Sequence, residues 1–236
     1  MQWRTCGPIL QRPKGEVMIN FMYDFINRFL SFRSPANEDS LDRCFGTGDW
    51  RSIRTPPGRE AALVDLYVEQ VRATGGFPYA TFSRVLKPLQ DRAYFHLVYA
   101  TRSPKGIEKF RDVEKKVVTE QELVRQKVQR EYRERKSGQA EIDFGSNAPS
   151  GDSKWEREQQ LRKAEARVMA LLANGPVRYE LLQPRVLELP LVWKSDLNDI
   201  LLQGERSGQL VIEGRGPRER VPKPGCTIRL GTGTLV

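Results

Sequence analysis

The chain has 236 residues, of which 39% are hydrophobic and 29% charged, and it carries a formal net charge of +9. That length admits one large domain or two modest ones, each with its own core, and the composition is that of a soluble protein. No window approaches eighteen apolar residues and the start, MQWRTCGPILQRPKG, has no long apolar run, which argues against a membrane-spanning helix and a secretory signal.

In chain order, residues 15–32, GEVMINFMYDFINRFLSF, open on an unbroken apolar run at 17–22. Such a run predicts a strand covered on both faces, the habit of parallel sheets inside α/β domains. A helix is predicted from about Asp24, with Phe25, Phe29 and Phe32 roughly a turn apart. Residues 34–58 are polar and turn-rich. Gly46-Thr47-Gly48 lacks the third glycine of a phosphate loop and follows no clear strand, so it is assigned as a surface turn. Residues 60–72 form an amphipathic helix with Leu63, Leu66, Tyr67 and Val71 inward.

FPYATFSRVLK and AYFHLVYATRS, joined through 88–92, predict an antiparallel hairpin whose second strand is interior. His96 lies in that strand with no acid or nucleophile nearby in sequence, so a hydrogen-bonded structural role is expected. A charged helix begins at Pro104, and Ile107, Phe110, Val113, Val117, Leu123, Val124 and Val128 mark its apolar stripe. Residues 138–153 are small, polar and aperiodic, which predicts a linker. Limited proteolysis is expected to cut there first and leave a stable C-terminal fragment. Cys6, Cys44 and Cys226 are scattered and odd in number, which fits a reducing cytoplasm, and with one histidine they show no metal-ligand spacing.

Residues 155–173 predict a helix with Leu161, Ala164, Val168, Leu171 and Leu172 inward, stopped by Asn174-Gly175-Pro176. Short helices at 179–187 and 193–205 follow, the latter with Leu197, Ile200 and Leu201 inward. A strand at 209–213, the loop GRGPRERVPKPG and a returning strand at 226–230 complete the pattern. Three helices and a two-stranded wing make a winged helix-turn-helix domain over 154–236, whose third helix suits a major groove and whose wing suits phosphates. Lys194, Ser195 and Asn198 on the third helix, and Arg215, Arg218, Arg220 and Lys223 on the wing, are the candidate DNA-binding residues. The basic excess points the same way through counterion release, with plain solubility as the alternative. Asp196 and Asp199 would repel phosphate and keep open a use in protein contacts.

EVMINFMYDFINRFL, FGTGDW, LVDLYVEQVRATGGFPYATFSRV and AYFHLVYATRSPKGIEKFRDV, in that order, resemble segments of the three-Cys-motif partner protein family (TcmP), whose members are bacterial or phage-related. The C-terminal part resembles the winged-helix domain that ends those proteins. The resemblance covers most of the chain. It implies that residues 1–137 are the C-terminal half of a Rossmann-type, methyltransferase-like α/β domain, with 16–22 a late strand and 77–102 the reversed last pair. It also implies a three-cysteine-motif, radical-SAM-like protein as partner. The family's early strands, glycine-rich cofactor loop and acidic motif have no counterpart here. The chain is therefore expected to be truncated at its N-terminus, inactive alone and without S-adenosylmethionine, a cofactor possible in full-length members. No catalytic, cofactor or metal residues are assigned. The expected function is that of a DNA-associated partner protein; the alternative is a methyltransferase-type enzyme whose cofactor-binding half is missing from this chain. A sheet edge left unpaired at 17–22 is expected to promote self-association.

Overall fold

The computed structural model describes residues 3–32, 34–53, 58–90, 92–140, 151–216 and 218–231. The protein is mixed α and β, with two small antiparallel sheets. It divides into two compact units, one of Met1–Gly106 with Val117–Ala148, the other of Ile107–Lys116 with Pro149–Val236. Much of the expected linker, 141–150, lies outside the described residues.

The first unit begins with a helix the sequence did not announce, α1 (Trp3–Leu10). Trp3 donates its indole N–H to the Cys44 carbonyl at 2.9 Å and packs 5.6 Å from the Tyr67 ring, and Leu10 is buried. The next element is β1 (Glu16–Phe21), and its neighbours correct the expected parallel arrangement. It pairs antiparallel with β3 (Ala93–Thr101), from Glu16 opposite Thr101 to Phe21 opposite His96. β3 pairs antiparallel with β2 (Tyr79–Leu86), giving the order β1-β3-β2. The hairpin and its interior second strand form as expected, whereas β1 is an edge.

Side-chain alternation explains why the apolar run misled. Val17, Ile19 and Phe21 share the core with Ala80, Phe82, Val98 and Ala100. Met18 and Asn20 point to the other face, where Met18 is 59% exposed. An apolar residue at Met18 hides a period of two and makes a one-sided strand look two-sided.

α2 (Tyr23–Ser31) buries Tyr23 and Ile26, so the expected phenylalanine stripe is the outer face: Phe25, Phe29 and Phe32 are all exposed. The stretch expected to be mostly turn contains α3 (Pro35–Phe45). Its signals are short-range ones. Ser34 caps the start by accepting from the Asn37 N–H at 3.2 Å, and Pro35 sits where its missing N–H costs nothing. Gly46 then ends the helix at φ 71, returning its N–H to the Asp42 carbonyl. Gly46 is thus a helix cap, followed by a 3₁₀ turn at Asp49–Ile53. α4 (Arg59–Gly75) supplies the main apolar wall, with Leu63, Val64, Tyr67, Val68 and Val71 buried. Each such side chain contributes about 1.5–3 kcal/mol by leaving water.

Three carboxylates tie this unit together, each paired with cations. Asp42 accepts both guanidinium nitrogens of Arg51 at 2.6 and 2.8 Å, and the Trp50 indole N–H at 2.9 Å. Asp24 meets Lys87 at 2.5 Å and Arg92 at 2.7 Å. The Arg51 bonds hold Asp42 below the ordinary aspartate value, and the Lys87 bond does the same for Asp24. Burial pushes Glu60 upward, but the bond to His96 and the charges of Arg84 and Arg92 bring it below its ordinary value. A carboxylate with a lowered folded pKa stabilises the fold above its unfolded pKa and loses that contribution as pH falls through the folded one. This unit should therefore hold its stability down to the ordinary values of 4.5 for Glu60 and 3.8 for the aspartates, and lose it below them. Thermal unfolding across an acid series checks this, and Asp42→Asn should blunt the dependence.

α5 (Pro104–Ser137) is the long charged helix, and its buried face is not the aliphatic stripe the sequence suggests. Ile107 is buried as expected, but Val113, Val117, Leu123 and Val124 are exposed. The buried positions include Arg111, Glu114 and Arg125. In the first unit, Arg125 donates to the carbonyls of Lys87 and Gln90 at 3.0 and 3.2 Å. In the second, Arg111 donates to those of Leu187 and Glu188 at 2.8 and 3.2 Å and pairs with Glu114 at 2.7 Å. Guanidinium groups that donate to carbonyls of the β2–β3 connection and of the segment after α7 select the buried face of this helix, because each satisfies acceptors that a valine would leave bare.

The second unit continues with α6 (Gly151–Leu172), β4 (Val177–Arg178), α7 (Tyr179–Val186), α8 (Lys194–Arg206), β5 (Leu210–Glu213) and β6 (Thr227–Leu230). The strands lie in the order β4-β6-β5, both pairings antiparallel. The two-residue strand β4 was too short for a periodicity to reveal. Ala164, Val168 and Leu172 of α6 pack with Leu182, Val186, Leu197 and Leu201 and with Ile212 and Ile228. Gly204 permits the close approach of α8 to β5: a Cβ there would stand 2.6 Å from the Leu210 side chain.

Candidate nucleic-acid interface

The residues expected to contact DNA separate into three environments. Lys194 and Ser195 open α8. Lys194 pairs with Glu108 at 2.7 Å, and the Ser195 hydroxyl accepts from Lys115 at 3.3 Å. Burial pushes the Glu108 carboxyl up, but the Lys194 ammonium brings it below its ordinary value. Lys194 is therefore committed within its own unit, whereas Ser195 remains exposed.

Asn198 is the clear correction. It is 9% exposed, and its side-chain oxygen accepts the Tyr179 hydroxyl at 2.9 Å. Tyr179 is fully buried, and burial raises its pKa. Asn198 therefore serves as the partner that a buried phenol needs, and its side chain does not lie on the surface.

Asp196, feared as a repulsive charge, is neutralised. It accepts the Trp193 backbone N–H at 2.8 Å, the acidic half of a capping box, and pairs with Arg157 at 2.8 Å. The Arg157 guanidinium also lies 3.6 Å over the Trp193 ring and donates to the Leu191 carbonyl.

The loop between β5 and β6 brings the remaining four cations together in one segment. Gly214 and Gly225 flank it at φ 81 and 101, a left-handed backbone that side chains resist. Glu219 organises its interior, accepting the Gly216 N–H at 3.1 Å and the Lys223 ammonium at 3.0 Å. Arg215 reaches Glu205 of α8 at 2.9 Å. Arg218 and Arg220 are exposed and enter no ion pair among the described residues. Two cations thus hold the loop and two are presented to solvent.

Of the outward stripe of α8, Ser195 and Asp199 were named from the sequence, whereas Gln203 and Arg206 were missed although their spacing is in the sequence. Ser195, Asp199, Gln203 and Arg206 are exposed at intervals of four, four and three residues, one face of a helix. The inward residues Leu197 and Leu201, correctly placed, imply this stripe by rotation.

His96 in the first unit is the other group with chemical potential. It is 2% exposed and bonds through Nε2 to the Glu60 carboxylate at 3.0 Å, a partner 36 residues away in sequence. Phe21 and Phe82 pack against its ring edge-on. That is the structural, hydrogen-bonded environment the sequence suggested. Among the described residues no group of three or more His, Cys, Asp or Glu side chains is placed to hold a metal ion.

Comparison with protein-family models, with curated proteins and with solved structures gives no match for this chain.

Proposed function

We propose that the second unit is a winged helix-turn-helix domain that binds duplex DNA mainly through its phosphates. The order helix, strand, helix, helix, strand, loop, strand, with β6 between β4 and β5, supports that assignment. The observation that carries the binding is the pair Arg218 and Arg220, exposed without an ion-pair partner among the described residues on the loop that would be the wing. Gln203 and Arg206 of α8 are the side chains placed to meet base edges or flanking phosphates, in place of Lys194 and Asn198. Titration of the full chain with unrelated duplexes over a salt series tests this. Similar affinities with a steep salt slope are expected, and no binding at low salt would refute it.

A protein-docking use of the same unit is the second reading, favoured by Leu181, 59% exposed, and by Asp199 on the outward stripe, whose carboxylate enters no ion pair among the described residues. It predicts that any residual DNA affinity ignores Arg218 and Arg220.

For the first unit, the resemblance to three-Cys-motif partner proteins supports a methyltransferase-like remnant that acts beside a radical-SAM-like protein. The chain by itself should bind no S-adenosylmethionine, since none of the first unit's strands β1, β2 and β3 is followed by a glycine-rich turn; the glycine pairs after β5 and β6 stand in the second unit. Calorimetric titration should give no saturable heat, and a micromolar isotherm would overturn this assignment.

A further inference from the structure

Among the described residues the sheet of the first unit ends on β1, which pairs with a strand along one side only. From its other side, no turn, loop or cap backbone bond reaches residues 16–21 among the described residues. Natural edge strands are usually guarded by proline, lysine, a bulge or a covering segment. β1 reads EVMINF, with no proline, no glycine and one charge, Glu16, at its first position. The bulge in this sheet lies at Val85/Leu86, on the opposite edge strand. Met18 is 59% exposed and Asn20 is exposed beside it.

We propose that β1 is a self-pairing edge, through which two copies of this chain join into one continuous antiparallel sheet. The sequence of the strand is complementary to itself in that direction. A two-fold axis perpendicular to the sheet at Ile19 sets Val17 beside Phe21 of the second copy and Ile19 beside its own equivalent. All three then stay on the core face, where β-branched and aromatic cross-strand pairs are favourable. Met18 falls beside Asn20 of the second copy, on the exposed face. Glu16 lies opposite Met22 of the second copy and is held away from its own equivalent. A parallel pairing would instead stack Glu16 on Glu16. The occupant is therefore a second copy in antiparallel register, supplying the backbone partners that the edge lacks.

Association of two chains of net charge +9 is opposed by long-range repulsion, which salt screens. Self-pairing should accordingly strengthen as salt is raised, the reverse of the proposed DNA contact, so the two can fail separately. Sedimentation velocity of the full chain, from low to high micromolar concentration in high salt, should show a monomer passing to a dimer. Amide hydrogen exchange over 16–22 should slow in step with dimer formation, a readout that needs no variant. The double change Met18→Lys and Asn20→Lys places like charges across the seam at two exposed positions and should leave the chain monomeric, with its thermal midpoint at low concentration unchanged. A wild-type chain that stays monomeric throughout would overturn the proposal and leave the edge to a strand of another polypeptide. So would a dimer without slowed exchange at 16–22, or one that persists in the double variant.

Discussion

A chain carrying Arg218→Ala and Arg220→Ala together is expected to bind every duplex more weakly and to show a salt slope flatter by about two. Each phosphate neutralised contributes about 0.9 to that slope by counterion release, so two lost contacts remove nearly two. These arginines are singled out because they are the cations of the β5–β6 loop without ion pairs among the described residues, whereas Arg215 is tied to Glu205 and Lys223 to Glu219. Arg215→Ala should mainly loosen the loop, with a smaller change of slope. Gln203→Ala should alter any sequence preference without touching the slope, since a side-chain amide reads base edges and releases no counterion. Asn198→Ala should instead cost stability, because it strands the buried Tyr179 hydroxyl. The check is fluorescence anisotropy on two unrelated duplexes over a salt series. A double variant with an unchanged slope would remove the wing from the interface and favour protein docking.

The largest expected loss of stability follows Arg111→Ala. Arg111 is 1% exposed and is a donor to two carbonyls beyond the end of α7 as well as the partner of Glu114, itself 4% exposed. Removing one member of a buried ion pair leaves the other charge without compensation and costs roughly 3–5 kcal/mol. The carbonyls of Leu187 and Glu188 lose a donor at the same time. Amide exchange over α7 and α8 should accelerate by two or more orders of magnitude, since about 1.4 kcal/mol corresponds to each tenfold change. Replacing the pair together, Arg111→Met with Glu114→Met, should recover much of the loss by removing the uncompensated charge. An exchange pattern unaffected by Arg111→Ala would mean that the ion pair and its carbonyl bonds contribute little to the second unit.

The candidate site was legible in the sequence only in part. Arg215, Arg218 and Arg220 stand in a loop bounded by two strand-like runs and flanked by glycines, and no other loop of the sequence concentrates cations that way. Whether each cation is available was not fully legible: Glu219 stands only four residues from the Lys223 it engages, but Glu205 reaches Arg215 from α8 through tertiary geometry. Asn198 failed for a related reason. Its position near the start of a helix suggested exposure, while the Tyr179 hydroxyl that claims it lies 19 residues earlier.

Local periodicity sufficed to place the β2–β3 hairpin, α4, α6, α7, α8 and the strands β5 and β6. In these, apolar residues recur at the spacing of the backbone that presents them, and caps such as Gly175 and Gly208 mark the ends. Tertiary structure alone decided which strand β1 would pair with and in which direction, since an apolar run states that a strand is buried without saying against what. It also decided the rotation of α5, where Arg111 and Arg125 turn inward to carbonyls that come from distant parts of the chain. Periodicity records which residues share a face. Hydrogen-bond acceptors brought together by folding decide which face is buried.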